Sequence, residues 1–269
     1  MKAASVGFQC PSCVKEGAAT VRQPRAAYGG RATSTPIVTY VLIGLNIAMF
    51  LLTTATGTGF ATGGTPSKLF RDLAMVPVYV GFDGDYYRLL SAMFLHYGIL
   101  HIALNMLCLY QLGPYLESAF GRVRFTALYL LSGVGGSALS YALGPVFVQA
   151  AGASGAVFGL FAAFFVLQRK RGGDVSSIGA TIAINLVISF GYASFIDWRG
   201  HVGGLVTGAL LTGALVYAPA VRRTLYQAAG FVAVLALVLA VIGVRTSDLK
   251  NQLPTRVAAV SAAQSVQRG

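Results

Sequence analysis

The sequence predicts an all-α membrane protein of seven transmembrane helices, and three observations predict it. Of the 269 residues, 55% are hydrophobic and only 10% are charged, a balance far from that of a water-soluble domain. Seven apolar stretches approach the length of about 20 residues that a helix needs to cross the hydrocarbon core. Lys and Arg alternate between rich and poor connecting segments, the pattern that fixes topology in a bilayer.

Taken in order, the stretches begin at residues 36–55. The segment before them, 1–35, is a polar leader without the apolar core of a signal peptide, so the first span itself directs insertion. Cys10 and Cys13 in this leader form a lone CxxC, half of a zinc knuckle. The only histidines, His96, His101 and His201, belong to membrane segments, so neither a metal nor a cofactor is expected. The long loop 56–93 carries Phe60, Phe70, Tyr79, Phe82, Tyr86 and Tyr87 and is expected to pack into the outer interface. Spans two and three follow at 98–116 and 125–143, with Cys108 as a small apolar packing residue.

The fourth span, 154–167, is short, which predicts a helix that starts below the membrane surface under a loop or a wet cavity. The fifth and sixth run over 178–195 and 201–218, and a seventh over 228–244. The Ser-, Gln- and Ala-rich tail, 245–269, is expected to be disordered.

The net charge of +12 is spread over loops and not gathered into a basic stripe, which argues against a nucleic-acid partner. Five Lys and Arg precede the first span, Arg122 and Arg124 follow the second, Arg169, Lys170 and Arg171 follow the fourth, and Arg222 and Arg223 follow the sixth. The intervening segment 144–153 has none. The amino terminus is therefore expected in the cytoplasm of a multi-pass protein, and the carboxyl terminus outside, despite Arg245, Lys250, Arg256 and Arg268 in the tail.

With that orientation, spans two, four and six all run inward from the outer face. His101, Ser154 and His201 then fall in the first turn or so of their helices, at one depth. Polar groups in a bilayer are costly unless paired or wet, so their convergence points to function. Ser154, set between Gly152 and Gly155, is the expected nucleophile, and the two glycines leave its hydroxyl accessible to a peptide backbone. His201 is the expected general base and acid. The Ser154 amide, near a helix amino terminus, together with His101 and Asn105, four apart on one helix face, forms the expected oxyanion hole. His96 is read as a structural or water-organising group. Phe158, one turn after Ser154, is expected to stack on His201. Asp197 is a weaker candidate for a third member, so a Ser-His dyad is preferred. Gly155 with Gly159, and Gly200, Gly204 and Gly208, repeat at intervals of four and predict that the fourth and sixth helices touch.

At these residues the chain resembles the rhomboid family of intramembrane serine proteases. The resemblance covers roughly residues 87–208: Tyr87-Arg88, the run from His96 through His101 to Asn105, Gly113 to Glu117 with Gly121, Gly152 to Gly155, and His201 to Gly204 with Gly208. It implies a Ser154–His201 dyad, oxyanion donors at His101 and Asn105, and structural roles for His96, Arg88 and Glu117, the last two bonding loops near the first two helices. It further implies a six-helix core at 36–218, a seventh helix at 219–244 as in six-plus-one members, and cleavage of transmembrane protein substrates near the outer face of a bacterial plasma membrane. Gly200 stands where the family commonly has Ala. A pseudoprotease scaffold that binds client helices would typically lack Ser or His, and this chain keeps both. A small solute transporter would show internal symmetry, which the sequence does not.

Overall fold

The computed structural model describes residues 2–3, 7–20, 26–30, 35–57 and 66–266. Phe60, Arg22, Arg25, Arg31 and Arg268 lie outside them. A two-residue antiparallel strand pair, Lys2–Ala3 with Phe8–Gln9, leads into α1 (Pro11–Thr20). The chain then runs through α2 (Ile37–Ala55), α3 (Lys68–Leu73), a π-helical turn at Tyr79–Asp83, α4 (Arg88–Ser91) and a 3-10 turn at Ala92–Phe94. There follow α5 (Ile99–Phe120), α6 (Arg122–Leu143), α7 (Ser154–Lys170), α8 (Ser176–Gly191), α9 (Trp198–Val216) and α10 (Arg223–Val266).

Helices α2 and α5 to α10 coincide with the seven apolar stretches. Four of them, α2, α5, α6 and the Arg223–Gln252 part of α10, are long and apolar enough to cross a membrane. Helix α7 has 17 residues, roughly 25 Å at about 1.5 Å per residue, less than the bilayer's hydrocarbon thickness of about 30 Å. It can be short because it does not face lipid: residues 155–163 are all buried, as expected of a helix that is apolar on every side. Helices α6 and α9 pack most closely around it. The outward faces carry exposed apolar side chains such as Leu100, Val123 and Val187.

Two charged residues organise the ends of this bundle. The first turn of α2 has N–H groups with no intrahelical partner, and Pro36 offers no side-chain cap. Glu117, fully buried on α5, fills that role across the interface. Its carboxylate accepts from Val38 N at 3.1 Å, Thr39 N at 2.9 Å and Thr39 Oγ1 at 2.9 Å, where the positive end of the helix dipole favours it. Arg88 stitches the outer loop. It donates through Nη1 to the carbonyls of Arg71 (2.7 Å) and Ala74 (3.0 Å) and through Nε to Asp85 Oδ2 (2.8 Å). The aromatic loop is thus largely built into short helices, and a backbone pairing of Met75 with Ala150 ties it to the segment that precedes α7.

One expectation needs correction. The helix begun at Arg223 does not end at Val244, so residues 245–252 are not part of a disordered tail. Leu249 is buried, Thr246 Oγ1 and Tyr141 Oη are 2.8 Å apart, and Arg245 pairs with Asp248 at 3.0 Å. The charges that looked like the start of a solvated tail satisfy one another along the helix. In the leader, residues 26–30 turn against the bundle, where Tyr28 packs on Phe120 and its carbonyl accepts from Gln227 Nε2 at 2.8 Å.

Candidate active site

Ser154 is the first residue of α7, directly after the loop strand that pairs with Met75. The chain enters this position through Gly152, whose φ of +143° is a conformation that L side chains rarely adopt. The Gly152 amide donates to the Ala92 carbonyl at 3.0 Å. A Cβ on Gly152 would lie 2.8 Å from His101 Cε1, 2.9 Å from His101 Nε2 and 3.5 Å from Ser154 Oγ. His101 on α5 and Ser154 on α7 therefore flank one glycine, which must stay bare for both to be there.

Helix α9 delivers His201 by a closer contact. A Cβ on Gly204 would fall far inside van der Waals contact distance of the Gly155 carbonyl oxygen, and one on Gly208 far inside that of the Gly159 carbonyl oxygen. One on Gly155 would sit 3.2 Å from the Gly200 carbonyl oxygen. The predicted contact between the fourth and sixth helices is present, backbone against backbone. It sets the neighbours of Ser154 and His201 against each other. The buried His201 ring stacks on Phe158 with centroids 4.2 Å apart and planes 14° from parallel. Its Nδ1 lies 2.7 Å from Ser189 Oγ on α8.

A cleft of about 30 Å³ borders Ser154, with Ala92, Ser137, Gly152, Asp197 and Gly200 among its walls. That is room for about one water molecule. Asp197 reaches this cleft, and its backbone carbonyl accepts from the His201 amide at 3.3 Å, but the His201 ring directs its Nδ1 to Ser189 and not to the Asp197 carboxylate.

A Rhomboid domain family model matches residues 83–218, just over half of the chain. The chain belongs to the rhomboid family. It is a multi-pass integral membrane protein with that family's all-α fold. It is similar to "Rhomboid protease GluP" of Bacillus subtilis (strain 168), 36% identical over 190 residues, which are 67% of this chain and 35% of that protein. It is also similar to "RHOMBOID-like protein 2" of Arabidopsis thaliana, 38% identical over 143 residues, 49% of this chain and 43% of that one. "RHOMBOID-like protein 6, mitochondrial" of the same plant is 38% identical over 143 residues, 49% of this chain and 45% of that one. This rhomboid thus spans between 35% and 45% of the length of these three relatives.

The remaining expected site residues of this rhomboid sort by their partners. Asn105 is buried one turn below His101, and its Nδ2 donates to the His101 carbonyl at 2.8 Å, which leaves one of its two N–H groups uncommitted. His101 Nδ1 accepts the Tyr97 amide hydrogen at 3.4 Å, so in the neutral ring Nε2, the atom beside Gly152, carries the proton. His96 is fully buried and meets His101 edge-on at 5.1 Å. Arg88 and Glu117 lie outside this cluster, in the loop before α5 and in the last turn of α5, with the bonding roles described above.

Ser189 was not singled out from the sequence. A signal was there: Thr181, Asn185 and Ser189 form a polar stripe at intervals of four on an otherwise apolar helix. Each also bonds the carbonyl four residues back, from Ser177, Thr181 and Asn185 respectively. That local bonding is what makes such residues inexpensive in lipid and easy to overlook.

Proposed function

We propose that this chain is an intramembrane serine endopeptidase that cleaves transmembrane segments near the outer face. Ser154 Oγ attacks the scissile carbonyl carbon while His201 Nε2 takes its proton. The carbonyl oxygen becomes an oxyanion, held by the Ser154 amide, His101 Nε2–H and the free N–H of Asn105 Nδ2. Collapse breaks the C–N bond as His201 returns the proton to the leaving amine. A water admitted through the cleft then attacks the acyl-serine, losing a proton to His201, and as the acyl C–O bond breaks His201 returns that proton to Ser154 Oγ, releasing the new carboxyl group and the free serine.

The observation that carries this reading is the stack of His201 on Phe158, one turn below Ser154, across a glycine-to-glycine helix contact. The protease named among the relatives supports the same activity class. In this reading residues 36–218 form the catalytic core, residues 1–35 a leader and α10 the seventh helix, with the amino terminus in the cytoplasm of a bacterial plasma membrane. The test is proteolysis of a reconstituted transmembrane substrate. Ser154→Ala is expected to insert and to cleave nothing, and a serine-directed fluorophosphonate to label the intact chain but not His201→Ala. Full cleavage by Ser154→Ala overturns the assignment.

A further inference from the structure

We propose that Ser189 is a positioning residue that holds His201 in the tautomer with Nε2 bare. The proposal rests on the dyad reading above and deepens it. Ser189 Oγ stands 2.7 Å from His201 Nδ1 and 2.6 Å from the Asn185 carbonyl oxygen. Both separations require a hydrogen between the heavy atoms. A hydroxyl has one hydrogen and a carbonyl has none, so the Ser189 hydrogen goes to Asn185 and the hydrogen between Ser189 and His201 belongs to Nδ1. The opposite arrangement would leave two oxygen lone pairs facing each other at 2.6 Å.

A neutral imidazole has a single N–H, so Nε2 keeps its lone pair. That is the atom a general base needs free for Ser154. Ser189 is 2% exposed, which keeps water from competing for Nδ1. The Phe158 ring beneath His201 adds a second constraint, fixing the plane of the imidazole while Ser189 fixes its proton. When His201 takes the Ser154 proton, Nδ1–H still points into Ser189 Oγ, and the positive ring keeps a hydrogen-bond acceptor through both acyl-transfer steps. The role is the one a carboxylate plays in a triad, here filled by a neutral hydroxyl oriented from its own helix backbone.

The test is nitrogen-15 NMR of histidine-labelled full-length protein in micelles, with the His201 signals assigned by their loss in His201→Ala. Wild type is expected to show a protonated Nδ1 and an unprotonated Nε2. Ser189→Ala is expected to shift the population toward the Nε2–H form and to lower kcat about tenfold with KM within twofold, the worth of one lost hydrogen bond. Ser189→Thr, which keeps the hydroxyl, is expected to restore both. A wild-type His201 protonated on Nε2 overturns the proposal whatever the variants do. So does a Ser189→Ala protein with unchanged nitrogen-15 signature and unchanged kcat. The NMR readout needs no turnover, so it stands apart from the proteolysis assay: cleavage by Ser154→Ala would sink the dyad reading and leave the tautomer measurement to judge Ser189.

Discussion

Helix α9 meets α7 and α8 in opposite ways. Against α7 it presents glycines, and the two backbones touch with no side chain between them at Gly155–Gly204 and Gly159–Gly208. Against α8 its polar contact is one hydrogen bond, His201 to Ser189, beside a ring contact of Trp198 with Phe190 at 4.9 Å, and α8 turns exposed Ile184 and Val187 outward. The first contact is rigid because any added atom must move a backbone. The second is softer, because one hydrogen bond and side-chain contacts hold it. Ser154 and His201 belong to the rigid pair, while the group that orients His201 comes from the soft one. Precision of the reacting atoms is thus fixed by glycine, and the proton position on His201 by a side chain.

Breaking the rigid side is expected to have the largest effect. Gly204→Val drives two methyl groups and a Cβ into the Gly155 carbonyl, and about 3 kcal/mol or more of stability is expected to be lost, read as thermal unfolding in detergent together with loss of fluorophosphonate labelling. Gly152→Ala acts at the same depth but on the site itself. It should cost about 1 kcal/mol or more in the same unfolding measurement, because its φ of +143° is strained for any Cβ, and cut substrate cleavage about 100-fold by displacing the His101 ring, the size of one lost oxyanion donor. Gly208→Ala, deeper in the same glycine contact, is expected to cost about 2 kcal/mol in the same unfolding measurement. On the soft side, Val187→Ala faces outward at 70% exposure, and unfolding is expected to move by about 0.5 kcal/mol or less. If Val187→Ala proved as damaging as Gly208→Ala, the contrast between the two interfaces would not hold.

Much of this was legible in the sequence because it follows from periodicity and residue size. The seven helices, the α7–α9 contact and the Phe158–His201 stack are all consequences of spacings of four on apolar helices. Ser189 escaped because a serine in a membrane helix ordinarily bonds its own backbone, which Ser189 also does, and only the coordinates reveal its second partner. The end of α10 escaped for a related reason. Arg245 and Asp248 read as solvated charges until their pairing along one helix face is seen. Asn105 was expected to give its amide to the oxyanion, whereas half of it is taken up by the His101 carbonyl, a local bond that no spacing rule forbids.

The long final helix links the two surfaces of the bundle. Near its start Gln227 holds the Leu215 carbonyl and Arg124, and near the end of its apolar part Leu249 seats against Gly81 in the π-helical turn. Its Arg223–Gln252 portion is 30 residues, a stiff rod of about 45 Å, so a change of about 5° in its tilt sweeps the far tip by roughly 4 Å. Because Leu249 near that tip bears on Gly81, any such change of tilt is transmitted to the π-helical turn and would have to be taken up there.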